Sequence, residues 1–234
     1  MSRGNGISEH LFPLSILTIY DFILVSWNNI IIGGIIGTTM YVYIMGGFLG
    51  SGKTTLLMKL ASMYTKRGLK TALVVNESGS VGVDGATLKA EGYDAVELPD
   101  GCICCSLSGT LQSALKNIKK DIDPDIIIIE PTGLALPHKV KDLVRVSMID
   151  DDGTFIIGVA DVQRFEDLIK KKEQFFKMQM SKADFILINK MDLAKPGQIE
   201  EVSGWLKAQY PDKPVMAISA KTDENIDKLY EMMR

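Results

Sequence analysis

From residue 40 onward, short apolar runs alternate with segments whose apolar residues recur at helical spacing. Runs that are apolar at nearly every position mark strands covered on both faces. Strands are predicted over residues 41–45, 71–75, 95–98, 125–130, 154–159, 185–189 and 215–218. Helices are predicted over residues 53–66, 107–119, 140–146, 174–180, 197–209 and 224–233. In the second helix Leu111, Leu115 and Ile118 fall on one face. Strands that alternate with helices build βα units, because parallel neighbours need a crossover connection. The pattern therefore predicts an α/β protein of three layers, with a mainly parallel central sheet flanked by helices. No internal repeat and no low-complexity linker interrupts it.

The first 39 residues do not share this pattern. No charge occurs from Phe22 to Gly52, yet a membrane helix is not expected there. Asp21, Asn28, Asn29, Gly33, Gly34 and Gly37 break the apolar run, and its end is needed as the first strand. A secretory signal is not expected either, since Arg3 is the sole basic residue and Asp21 sits inside the apolar part. Met40 stands one residue before the first strand. The expectation is that residues 1–39 are an extension arising from a start assigned too far upstream, and that residues 40–234 form the domain. A native peptide covering Leu11 to Trp27 would overturn it.

Charge narrows the partners. With 26 basic and 29 acidic side chains, the net charge is −3, so no basic field favours nucleic acid or an anionic membrane. The three cysteines, Cys102, Cys104 and Cys105, lie within four positions of one another. An odd, crowded set is no disulfide framework, and clustered thiols suit a reducing compartment, so the expected location is the cytoplasm.

The candidate chemistry begins after the first strand. Gly47-Phe-Leu-Gly-Ser-Gly52-Lys53-Thr54 fits G-x-x-x-x-G-K-[ST] between a strand and a helix. Gly50, Ser51, Gly52, Lys53, Thr54 and Thr55 are the expected phosphate contacts. Backbone N–H groups and the helix N-terminus would wrap the phosphates, Lys53 would neutralise them, and Thr54 would offer its hydroxyl to Mg²⁺. Glu130 ends a run of four isoleucines and opens Glu130-Pro-Thr-Gly133, where a carboxylate faces the phosphates and suits a Mg²⁺-bound water. Asn189-Lys190-Met-Asp192 follows a later strand. Asp192 there can accept from guanine N1–H and the 2-amino group, which adenine lacks. Ser219, Ala220 and Lys221 are placed to reach the guanine oxygen. In this order, these motifs favour GTP over ATP. Asp161, at a strand end, is a weaker candidate that suits a turn, and His138 reads as a helix-start surface residue.

The cysteine loop supplies two or three thiolates, which favour Zn²⁺ and similar ions but leave a tetrahedral site incomplete. That favours transferable binding; redox sensing is the rival reading. Taken with Asn76-Glu-Ser-Gly79, Val83-Asp84 and Glu130-Pro-Thr-Gly-Leu-Ala135, the Gly101-Cys-Ile-Cys-Cys105 element resembles the CobW branch of the CobW/HypB/UreG GTPases from Met40 to the end. The resemblance implies a P-loop NTPase fold and slow GTP hydrolysis coupled to delivery of a divalent metal (Zn²⁺, Co²⁺ or Ni²⁺). The client would be a metalloprotein or an enzyme of metallocofactor assembly, and a homodimer across the nucleotide face is one arrangement open to it. It implies Cys104 and Cys105, with Cys102, as metal ligands. Glu77 would be an oxygen ligand or catalytic contact beside Lys53 and Glu130, and Asp84 a weaker one. Two departures stand out. The switch reads Asn76-Glu-Ser-Gly-Ser80, one carboxylate short of the usual Asn-Glu-Phe-Gly-Glu. The C-terminal domain usual in CobW proteins is not in this sequence, whose length is nearer that of HypB and UreG. A nucleotide-dependent regulatory partner with a redox-sensing Cys-x-Cys-Cys loop is the alternative function.

Overall fold

A computed structural model of the protein describes residues 39–76, 94–98 and 107–233. Residues 1–38, nearly all of the expected extension at 1–39, lie outside the described residues. Seven strands form one sheet in the order β3-β2-β4-β1-β5-β6-β7. They are β1 (Tyr41–Gly46), β2 (Thr71–Asn76), β3 (Asp94–Leu98), β4 (Ile126–Glu130), β5 (Gly153–Asp161), β6 (Phe185–Asn189) and β7 (Val215–Ala217). Every pairing is parallel, with β1 between β4 and β5. The described helices are α1 (Lys53–Lys66), α2 (Leu107–Asp121), α3 (Pro137–Ser147), α4 (Phe165–Met180), α5 (Gln198–Gln209) and α6 (Ile226–Met233).

Alternation along each strand divides the core into two layers. Val42 and Ile44 of β1, with Ile127 and Ile129 of β4, face α2, α3, α4 and α5. Tyr43 and Met45, with Ile126 and Ile128, face α1 and α6. This double coverage is why the isoleucine run of β4 is apolar throughout. All strand C-termini then point to one edge, where β1 and β4 deliver their following loops side by side.

Helix α4 departs from the sequence expectation. It begins at Phe165, not near residue 174, and bends at Lys172, whose φ of −147° and ψ of 33° are not helical. The charged stretch Lys170-Lys-Lys-Glu173 hides the helical period. An aromatic cluster holds the early turn: Phe165 meets Phe176 at 5.5 Å and Trp205 at 5.3 Å between ring centroids. Helix α3 also starts earlier than expected, at Pro137, a residue whose missing N–H costs nothing in a first turn. His138 follows it and is half-buried rather than a surface residue.

Candidate nucleotide site

The phosphate loop leaves β1 through backbone that only glycine adopts without strain. Gly52 has φ +89° and caps α1. A Cβ there would sit 2.3 Å from Asn189 Nδ2. Gly52→Ala is therefore expected to destabilise the fold by about 2 kcal/mol or more, and to weaken nucleotide binding by displacing Asn189. Urea unfolding and GDP titration of the variant measure both effects.

A pocket at the strand C-termini is lined by Gly50, Gly52, Lys53, Thr54 and Thr55 from the loop and α1, by Glu130 to Gly133 after β4, and by Lys190. Lys53 is 4% exposed. Its Nζ donates to Phe48 O at 3.2 Å and lies 3.9 Å from Glu130 Oε1. Thr54 Oγ1 donates to the same Glu130 oxygen at 2.9 Å. Burial pushes the Lys53 ammonium below the ordinary lysine range, with Glu130 opposing the shift. Burial likewise raises the Glu130 carboxyl, with Lys53 and Thr54 opposing. Each charge is thus held partly desolvated beside a single countercharge, an arrangement that a polyanion and a cation would relieve. A hydroxyl and a carboxylate 2.9 Å apart form an all-oxygen set that fits Mg²⁺.

The second cluster of predicted residues is knitted to the first. Asn189 Nδ2 donates to Ser51 O at 2.9 Å, and its Oδ1 accepts from Ala220 N at 3.0 Å. Both ends of its amide therefore serve protein backbone, so Asn189 fixes the phosphate loop against the Ser219–Ala220 segment. Lys190, in left-handed backbone, donates from Nζ to Gly50 O and to Asp161 Oδ2, each at 2.7 Å. Asp161 is buried, is joined to the site through Lys190 and accepts from Gln163 N at 3.0 Å to close the turn. Ser219 Oγ donates to exposed Asp192 Oδ1 at 2.6 Å, and Lys221 is exposed beside them. Glu77, Asp84, Cys102, Cys104 and Cys105 lie outside the described residues. Among the described residues, no group of three His, Cys, Asp or Glu side chains is placed to hold a metal ion. No described helix is long and apolar enough to cross a membrane.

Two contacts on the phosphate loop come from residues without a motif. Arg164 Nη1 donates to Leu49 O at 3.0 Å. Gln179, near the end of α4, accepts from Gly47 N at 3.0 Å. A lone glutamine in a helix carries no sequence signal for such a role.

Residues 41–217 match the family described as CobW/HypB/UreG, nucleotide-binding domain. The chain is 33% identical over 172 residues to the zinc chaperone YeiR of Escherichia coli (strain K12), covering 73% of this chain and 52% of that protein. It is 32% identical over 211 residues to the zinc chaperone CobW of Sinorhizobium sp, covering 77% and 59%. The chain thus spans little more than half the length of these relatives. Its fold resembles the hydrogenase maturation factor HypB from Archaeoglobus fulgidus, with TM-score 0.62 and 22% identity over 84% of this chain and 89% of that one. It also resembles the Zn(II)-bound YjiA GTPase from E. coli, with TM-score 0.57 and 24% identity over 77% and 57%. The matched profile, the P-loop geometry and the relatives together place the chain in the CobW/HypB/UreG family, as a CobW-type P-loop GTPase domain.

Proposed function

We propose that this protein binds and slowly hydrolyses GTP, and that its nucleotide state governs the binding and release of a divalent metal cargo. The observation that carries the nucleotide half is the Lys53–Glu130–Thr54 triangle inside the phosphate pocket. The metal half rests on Cys102, Cys104 and Cys105 in the sequence, and on the likeness to the zinc chaperones YeiR and CobW. Zn²⁺ is the favoured cargo, with Co²⁺ and Ni²⁺ as competitors. The recipient is a client metalloprotein or an enzyme of metallocofactor assembly, and the setting is the cytoplasm. Residues 40–234 form the working domain.

The phosphates would lie over the backbone N–H groups of residues 50–55, with Lys53 offsetting their charge. Thr54 and Glu130 would hold Mg²⁺, which would offset phosphate charge when bound. Glu77, next to β2, would reach the γ-phosphate side as a catalytic or metal contact. Asp192, with Ser219, Ala220 and Lys221, would read guanine, while Asn189 and Lys190 hold that frame to the phosphate loop. The cysteine loop and the Glu77 segment are both expected on the γ-phosphate side. GTP would then order the thiolates, and hydrolysis would loosen them.

The test is a Zn²⁺ titration of reduced protein, first with GDP and then with a non-hydrolysable GTP analogue and Mg²⁺. One-to-one binding should be roughly tenfold or more tighter in the GTP state, within the usual range of coupling between sites. Cys104→Ser combined with Cys105→Ser should abolish this binding and leave GTP affinity unchanged. Metal binding that survives the double substitution would refute the assigned ligands. Equal, weak binding in both states, with reversible thiol oxidation, would favour the redox-sensing alternative.

A further inference from the structure

Helix α4 supports the phosphate loop at both of its ends. Arg164, the residue that caps α4, donates to Leu49 O at 3.0 Å. Fifteen residues later Gln179 Oε1 accepts from Gly47 N at 3.0 Å. Between these contacts Phe48 packs edge-on against Phe175 at 5.2 Å and lies over Phe176 at 6.4 Å. Three successive loop residues, Gly47, Phe48 and Leu49, therefore rest on one helix.

The same glutamine holds a second loop. Gln179 Nε2 donates to Gly133 O at 3.1 Å and to Ala135 O at 3.0 Å, both in the loop after Glu130. The amide orientation is fixed by its partners, because an N–H requires the oxygen and two carbonyls require the nitrogen. Gln179 is 1% exposed, and its bonds to Gly47 N and Ala135 O are buried while that to Gly133 O is part-buried. The loops it joins have no slack: a Cβ on Gly133 would lie 2.7 Å from Leu49 N. Thr132 and Gly133 line the pocket that contains Lys53, Thr54 and Glu130, whereas Gln179 acts on that pocket only through backbone.

We propose that Gln179 is a positioning residue for the third phosphate. It sets the register of residues 132–135 on the phosphate loop, and so holds the pocket in the arrangement that distinguishes a nucleoside triphosphate from a diphosphate. This rests on the pocket being a GTP site. Breaking the clamp lets the loop after Glu130 drift while Gly50 to Thr55 keep their own contacts. That loop shares the pocket with Lys53, which would reach the β- and γ-phosphates, so recognition of the third phosphate is lost before diphosphate binding. Guanine selectivity is untouched, because Asn189, Lys190 and Asp192 make no bond to Gln179.

Two variants test this. Gln179→Met keeps an unbranched chain of similar length and removes all three bonds. Gln179→Glu keeps the acceptor for Gly47 N and turns an oxygen on two carbonyls. Each is purified with GDP, which stabilises the folded state by mass action. Dissociation constants for GDP and for a non-hydrolysable GTP analogue with Mg²⁺ are measured, along with kcat for GTP and the GDP-to-xanthosine-diphosphate selectivity. The expected result is a GDP constant within about threefold of wild type, while the analogue's advantage over GDP falls roughly tenfold or more and kcat falls with it. A lower melting temperature with an unchanged analogue-to-GDP ratio, or equal weakening of both nucleotides, would overturn the proposal and leave Gln179 merely structural. Failure of wild type to bind any guanine nucleotide would instead sink the GTP reading, so the two failures are distinguishable.

Discussion

Lys53→Met is expected to remove GTP binding across the concentrations at which the wild-type protein saturates. The ammonium is buried with a carbonyl at 3.2 Å and a carboxylate at 3.9 Å, fewer close partners than a buried lysine needs. Phosphate oxygens would supply the missing ones. Charge-assisted hydrogen bonds contribute about 1.5–3 kcal/mol each. Losing two of them corresponds to roughly two to four decades in affinity. The thermal shift produced by Mg²⁺ and GTP should vanish with the binding. Methionine also strands Glu130, whose half-buried carboxylate would keep Thr54 as its close donor, so the nucleotide-free variant should melt below wild type. Adding Glu130→Gln removes that uncompensated charge. The double variant should therefore recover much of its melting temperature and none of its GTP binding. Thermal shift assays with and without nucleotide separate the two effects; a Lys53→Met protein that still binds GTP would show that the pocket serves another ligand.

Asp192→Asn is expected to cost roughly two decades of GTP affinity and to erase the preference for GTP over inosine triphosphate, which lacks the 2-amino group. The carboxylate can accept from both guanine N1–H and the 2-amino group. The amide keeps one acceptor and turns a donor on the other. A polar site that loses its complementary partner discriminates steeply. The effect here is limited because Asp192 is exposed and water replaces part of what is lost. Asparagine can still accept from Ser219 Oγ, which sits 2.6 Å from the carboxylate, so the loop should keep its shape and the melting temperature should stay near wild type. Comparing GTP with inosine triphosphate in both proteins forms a cycle that isolates the contact to the 2-amino group. An unchanged ratio between the two nucleotides would move base recognition away from Asp192.

Much of this architecture was legible in the chain because parallel strands covered on both faces must be apolar throughout. The run at 126–129 announced β4, and the glycine-rich loop could only follow a strand and open a helix. The first half of α4 was hidden for the opposite reason. Its support comes from Trp205, forty residues away from Phe165 in sequence, and no local period reports such a contact. The candidate residues divide in the same way. Lys53, Thr54, Glu130 and Asp192 were legible as candidates because the motifs expected for phosphate, Mg²⁺ and guanine each constrain residue type at fixed spacing. For the cysteine cluster and Glu77, the motif alone speaks.

The sequence by itself determined the order of strands and helices, the phosphate-binding loop and the chemical character of the groups gathered around it. Tertiary structure decided how those groups share work. It assigned the Asn189 amide to joining Ser51 and Ala220, seated Lys190 on Gly50 and buried Asp161, and brought Gln179 from a late helix between two loops. These roles depend on which backbone N–H and carbonyl groups end up buried together. Any polar side chain of suitable reach can satisfy such groups, so the need for a partner is set by the fold and leaves no fixed spacing in the sequence.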